Sequence, residues 1–95
     1  MNSVYAEQYK VFTALTIGTT NVSPLTAYSG YTLAFMTFEG SAIRYRIDGV
    51  SAASGSGHLV SAGVSVNLNG ADTVVGFNAI CTNTTGTVMV SIGGR

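Results

Sequence analysis

The sequence predicts an all-β chain, a small antiparallel β-sandwich or barrel of six to seven strands. Two observations predict this fold. β-branched and aromatic residues are concentrated in short segments, and turn dipeptides such as Asp48-Gly49 and Asn69-Gly70 separate these segments. No stretch shows a convincing helical period of apolar residues. Because 95 residues suffice for one core and not for two, we expect residues 1–95 to form a single domain.

Two strands are predicted in the first half of the chain. Residues 9–17 alternate with apolar side chains on both faces, so we expect this strand to be covered on each side. A loop follows over residues 18–30, where Pro24 cannot donate to a central ladder. Residues 31–38 are the most hydrophobic segment. The side chains expected at the centre of the core are Leu33, Phe35, Met36 and Phe38.

The second half is predicted to hold at least four strands, separated by turns and by one long loop. That loop, residues 50–63, consists mostly of small residues and is expected at the surface. Residues 1–8, ahead of the first strand, are expected to form an extended arm or a short helical turn. The predicted strands are residues 42–48, 64–69, 73–81 and 87–92.

Charge is scarce along the whole sequence. Four Lys and Arg residues and four Asp and Glu residues make up 8 % of the chain, against about 25 % in an average soluble domain. A net charge near zero disfavours a lone soluble monomer, because nothing repels like copies. An uncharged, Thr-rich surface therefore predicts a subunit that is covered in a homo-oligomer or assembly. A neutral monomer is the alternative.

The same composition disfavours several kinds of partner. Four basic residues balanced by four acids cannot form a patch that neutralises a run of phosphates, so we expect no nucleic-acid partner. The apolar runs are far shorter than the ~20 residues of a membrane span, and residues 1–7 do not resemble a signal peptide. Cys81 stands alone and is expected to be a small core residue, as in a protein kept in a reducing cytoplasm.

Catalysis would have to be built around His58, the sole histidine. A triad hydrolase would need a carboxylate to orient the ring and a serine nucleophile. The candidates are Asp48 and Asp72, and Ser54, Ser56 and Ser61. Nothing in their spacing supports such a triad, and residues 63–67 lack the last glycine of a Gly-x-Ser-x-Gly elbow. We therefore expect no enzyme, no cofactor and no metal site, and we expect His58 to anchor the end of its loop by hydrogen bonds.

One face of the strand predicted at residues 42–48 carries three of the eight charges, on Arg44, Arg46 and Asp48. One interpretation is a solvated face on which Arg46 pairs with Asp48 or with a cross-strand acid. The other is a set of forked donors that binds a carboxylate or backbone carbonyls of a neighbouring subunit. Tyr31 is expected at the edge of the core. The candidate interface residues are Tyr5, Tyr9, Arg44, Arg46, Asp48 and His58.

Four segments follow one another in a recognisable order and spacing. Residues 42–49 read AIRYRIDG, residues 57–63 read GHLVSAG, residues 68–72 read LNGAD and residues 76–80 read GFNAI. Together they resemble a group of small tailed-bacteriophage proteins over about residues 25–92. The resemblance implies a compact β-sandwich with an Arg-rich strand that ends in Asp-Gly. It carries no catalytic residues.

The resemblance implies a structural protein of the virion, acting in capsid decoration, head–tail connection or tail or fibre attachment. Its expected partners are other virion proteins and further copies of itself in a symmetric homo-oligomer, assembled in the host cytoplasm. The alternative is a carbohydrate-binding or host-adhesion module that uses tyrosines and Asn or Asp side chains. The absence of Trp and the shortage of acidic side chains count against this alternative.

Overall fold

The computed structural model describes residues 9–53 and 55–94, and within them seven strands form two antiparallel sheets. The predicted all-β sandwich is thereby confirmed. The strands are β1 (Tyr9–Ile17), β2 (Leu33–Gly40), β3 (Ile43–Arg46), β4 (His58–Val60), β5 (Ser65–Asn69), β6 (Asn78–Cys81) and β7 (Gly86–Gly93). One sheet has the order β1-β7-β2-β5 and the other β4-β3-β6. The arm predicted at residues 1–8, which includes Tyr5, lies outside the described residues.

The chain passes from one sheet to the other directly after β1. The N–H of Cys81 donates to the carbonyl of Gly18 at 2.7 Å, and Val22 and Ala79 exchange two backbone hydrogen bonds of 3.0 Å. Residues 18–22 thus lie along the free edge of β6 and satisfy part of its backbone. A single 3₁₀ turn (Thr26–Tyr28) follows in the loop before β2.

The strand predicted at residues 73–81 is wrong in its first half. Residues Ala71–Val75 form a one-turn helix, α1, and only Asn78–Cys81 is strand. The N–H of Val74 donates to the carbonyl of Gly70 at 3.1 Å, and the Val74 side chain is buried. β-branched residues favour a strand locally, but burial of Val74 in the core outweighs this weak preference.

Residues 50–63, predicted as a loop throughout, contain β4. Its three residues pair with β3, with Ile43 opposite Val60 and Tyr45 opposite His58. The segment is too short for an alternation of apolar and polar residues to be recognised, so only its pairing with β3 defines the strand.

The core lies between the inner faces of the two sheets. On β2 the buried side chains are Ala34, Met36 and Phe38, whereas Phe35 is 36 % exposed. The expected central positions of Leu33 and Phe35 are therefore wrong, because a strand directs successive side chains to opposite faces. The expected cover on both faces of β1 is also wrong, since Phe12 on its outer side is 66 % exposed. Tyr31 packs at the core edge and Cys81 is buried, both as predicted.

Candidate functional site

Arg46 and Asp48 form a two-pronged ion pair at the end of β3. The Arg46 Nε donates to Asp48 Oδ1 at 3.1 Å, and Arg46 Nη2 donates to Asp48 Oδ2. The N–H of Val50 also donates to Asp48 Oδ1, at 3.3 Å, and closes the turn that follows the strand. The interpretation in which Arg46 pairs with Asp48 is therefore confirmed.

The ion pair shifts the titration of both groups. The hydrogen bonds from Arg46 lower the pKa of Asp48 from its ordinary value, and the N–H of Val50 lowers it further. The hydrogen bonds to Asp48 raise the pKa of Arg46. Because the two side chains are 30 % and 52 % exposed, solvent screens their attraction and the pair adds little to stability.

Both arginines of β3 also contact the segment that leads into β4. Arg44 Nη1 donates to the carbonyl of Gly57 at 3.0 Å, and Arg46 Nη1 donates to the Ser56 hydroxyl at 3.4 Å. Gly57 has a φ of +130°, and a Cβ there would lie 3.0 Å from the carbonyl oxygen of Tyr45. The two arginines of β3 thus hold in place the residues that lead into β4.

The imidazole of His58 joins this region to the core by ring contacts. Its centroid lies 5.3 Å from the ring of Tyr45, which in turn lies 6.1 Å from Phe38 and 5.7 Å from Phe77. Hydrogen bonds were expected to anchor His58. Within the described residues the ring contact with Tyr45 holds it instead.

A cavity of about 490 Å³ opens between the end of β3 and the start of β4. Three of the predicted interface residues, Arg46, Asp48 and His58, meet there, and Arg44 reaches its rim through Gly57. No motif pointed to Ile47, which is 38 % exposed and adds an apolar side chain to the lining. We call this region the charged site. Its lining residues are Arg46, Ile47, Asp48, Ser56, Gly57 and His58.

Tyr9, the remaining described candidate, lies on the other sheet. A β-bulge between Tyr9 and Val11 shifts the pairing of β1 with β7 so that Tyr9 stands opposite Gly93. The bulge brings Tyr9 to the solvent side of the sheet, where it lines a groove of about 390 Å³ with Phe35, Asn67 and Ser91. The predicted interface residues therefore divide between two separate regions.

The solvent side of the four-stranded sheet is rich in apolar groups, and we call it the aromatic face. One row across its four strands consists of Phe12, Ser91, Phe35 and Asn67. The next row consists of Ala14, Met89, Thr37 and Ser65. Neither row carries a charge, because the two charged residues of these strands, Lys10 and Glu39, stand nearer the sheet ends.

Sequence reasoning missed a buried polar network around Asn78. The side-chain oxygen of Asn78 accepts hydrogen bonds from Asn21 Nδ2 at 3.0 Å and from Ser23 Oγ at 2.6 Å. Its Nδ2 donates to the carbonyl of Gly76 at 3.1 Å, and Asn21 Oδ1 accepts from the N–H of Ala52. The network joins two loops to β6 and satisfies the polar atoms that it buries.

The described residues contain no group of three or more His, Cys, Asp or Glu side chains that could hold a metal ion. Two of the residues considered for a catalytic triad have other partners among the described residues. His58 packs on the ring of Tyr45, and Ser56 is hydrogen-bonded to Arg46. No helix in the described part of the chain is long and apolar enough to cross a bilayer.

Comparison with models of protein families, with curated proteins and with solved structures finds no match for this chain.

Proposed function

We propose that this chain is a structural protein of a tailed-phage particle that acts by assembling with protein surfaces. The observation that carries the proposal is the aromatic face, where Phe12 and Phe35 are 66 % and 36 % exposed in one uncharged row. The two rings stand on either side of Ser91, and aromatic side chains are enriched at protein contact sites. The scarcity of charge and the resemblance to small phage proteins support the same role.

The charged site is the proposed contact for a different protein of the particle. Its polar groups are held in fixed positions by the hydrogen bonds among Arg46, Asp48 and Ser56, so a partner meets a preorganised surface. Arg46 is a residue type enriched at interfaces, and its exposed pair with Asp48 presents both signs of charge to a partner. Capsid decoration, head–tail connection and tail or fibre attachment all require contacts of this kind.

Quantitative mass spectrometry of particles from the phage or prophage that encodes the chain tests the proposal. We expect its peptides in particles purified through a density gradient, at a fixed copy number relative to the major capsid protein. The chain should stay bound after a wash in 1 M salt, because apolar contacts are not screened. Its recovery only in the soluble fraction, while other structural proteins sediment, would contradict the proposal.

A carbohydrate-binding module is the second candidate, and the charged site is the feature that favours it. A cavity of about 490 Å³ with Arg, Asp, Ser and His side chains and one exposed isoleucine falls in the size range of small-ligand pockets. A glycan array distinguishes the two functions. Binding to a defined glycan that is lost in Asp48→Asn and retained in Asp72→Asn would favour the module over the structural protein.

A further inference from the structure

We infer that the free edge of β1 pairs with the same edge of a second copy of this chain, a contact that rests on the proposed function of an assembling subunit. The two β1 strands run antiparallel about a two-fold axis that passes by Ala14, perpendicular to the sheet. The four-stranded sheets of the two copies thereby join into one continuous sheet.

Among the described residues, β1 is the long sheet edge without cover. The edge strands β4 and β5 have three and five residues, and residues 18–22 lie along the edge of β6. β1 has nine residues. Natural sheets protect an edge by shortness, charge, proline or a bulge, because an open edge is a template for another strand. Lys10 and the bulge stand at the start of β1, whereas residues 11–17 carry neither charge nor proline.

The register of the sheet shows which backbone groups of β1 face outward. The N–H of Gly70 donates to the carbonyl of Thr32 at 2.8 Å, and the N–H of Phe38 donates to that of Val64 at 3.0 Å. Even-numbered residues of β2 therefore bond to β5, and odd-numbered ones to β7. By the same alternation, odd-numbered residues of β1 bond to β7. The outward-facing N–H and C=O groups belong to Phe12, Ala14 and Thr16.

These outward-facing groups are complementary to those of a second copy. Regular pairing of β1 begins after the bulge, so the open stretch is residues 11–17, with Ala14 at its centre. A two-fold axis at Ala14 places Phe12 opposite Thr16 of the second copy and Ala14 opposite its own equivalent. Residues opposite each other in such pairs exchange two N–H···O bonds. This register satisfies every outward-facing group of the stretch.

The side chains are compatible with the same register. On the inner face, Val11 and Leu15 pack against the core but are only partly buried, and the added strand covers more of them. On the outer face, the exposed ring of Phe12 comes to lie beside Thr16 of the second copy, an aromatic and β-branched pair that stabilises sheets. No like charges meet, because residues 11–17 are uncharged.

The dimer is expected to be reversible and to widen the aromatic face. Pairing of two edges buries less surface than a standard interface, so the affinity comes mainly from main-chain hydrogen bonds. We therefore expect dissociation on dilution. Because the axis is perpendicular to the sheet, the aromatic faces of both copies lie on the same side of the joined sheet. The dimer thus offers the particle both faces at once.

Sedimentation velocity over a range of concentrations tests the dimer, with two lysine substitutions as a matched pair. Ala14→Lys places two ammonium groups opposite each other across the axis and should raise the dissociation constant about fivefold or more. Thr37→Lys is the control, because Thr37 stands in the same row of the outer face but two strands away from the edge. A monomer at every concentration, or an equal effect of both substitutions, would overturn the inferred contact.

Amide hydrogen exchange of the unmodified chain, followed by NMR, tests the register. The outward-facing amides of Phe12, Ala14 and Thr16 should exchange several-fold more slowly at a concentration where the dimer predominates than in the dilute monomer. The odd-numbered amides of residues 11–15 are bonded to β7 in both states and are the internal control. A dimer without this added protection would refute the edge and leave the proposed function standing. Absence from purified particles would refute the proposed function, whether or not the isolated chain dimerises.

Discussion

The charged site and the aromatic face differ in what their side chains already contact. At the charged site, Arg44 is bonded to Gly57, and Arg46 is bonded to Asp48 and Ser56. On the aromatic face, the rings of Phe12 and Phe35 remain partly in water. Removing a phenyl ring from water contributes about 1.5–3 kcal/mol, whereas charges that are already paired offer a partner less. A cluster of charges is therefore a poorer indicator of a protein contact here than an uncharged row of exposed rings.

The largest effect on stability is expected in the core. Comparing a core ring with a ring of the aromatic face tests whether that face is needed for folding. Phe38→Ala removes a fully buried ring and should lower the free energy of unfolding by about 3–5 kcal/mol. Phe12→Ala should change it by about 0.5 kcal/mol or less in the monomer. Urea denaturation at a concentration where the chain is monomeric measures both. A comparable loss in the two variants would mean that the aromatic face belongs to the folded core.

A smaller effect is expected from the polar network behind the charged site. Asn78→Ala leaves the Asn21 amide and the Ser23 hydroxyl without their acceptor and should cost about 1–3 kcal/mol. The matched control is Asn83→Ala, because Asn83 is exposed in a turn and should cost about 0.5 kcal/mol or less. Thermal unfolding followed by circular dichroism measures the difference. Equal melting temperatures for the two variants would contradict a stabilising role of the network.

The smallest effect concerns the ion pair of the charged site. Because the pKa of Asp48 is lowered in the folded chain, its contribution to stability is present above the ordinary pKa of Asp, about 3.9. That contribution is lost as the pH falls through the lowered pKa. Asp48→Asn should therefore flatten the acid limb of the stability curve and leave its shape above pH 6 unchanged. Urea titrations from pH 2 to pH 7 measure it, with Asp72→Asn as the control.

Local pattern was enough to predict much of the fold and part of the charged site. The alternation over residues 9–17 defined β1 to its last residue. The common face of Arg44 and Arg46 followed from the two-residue period of a strand, whereas β3 ends at Arg46 and Asp48 lies in the turn that Asp48-Gly49 predicted. That Arg46 and Asp48 lie within hydrogen-bond distance could be predicted because they are two residues apart.

The rest depended on partners far away in the sequence. Burial of Val74 made a helical turn of a segment with strand propensity, and pairing with β3 made a strand of His58–Val60. The aromatic face has the same origin. Phe12 and Phe35 are ordinary hydrophobic residues of strands, and the sequence does not say which face of each strand is covered. By itself the sequence determined five of the seven strands in outline and the scarcity of charge, whereas only the packing of one sheet on the other decided which rings were left in water.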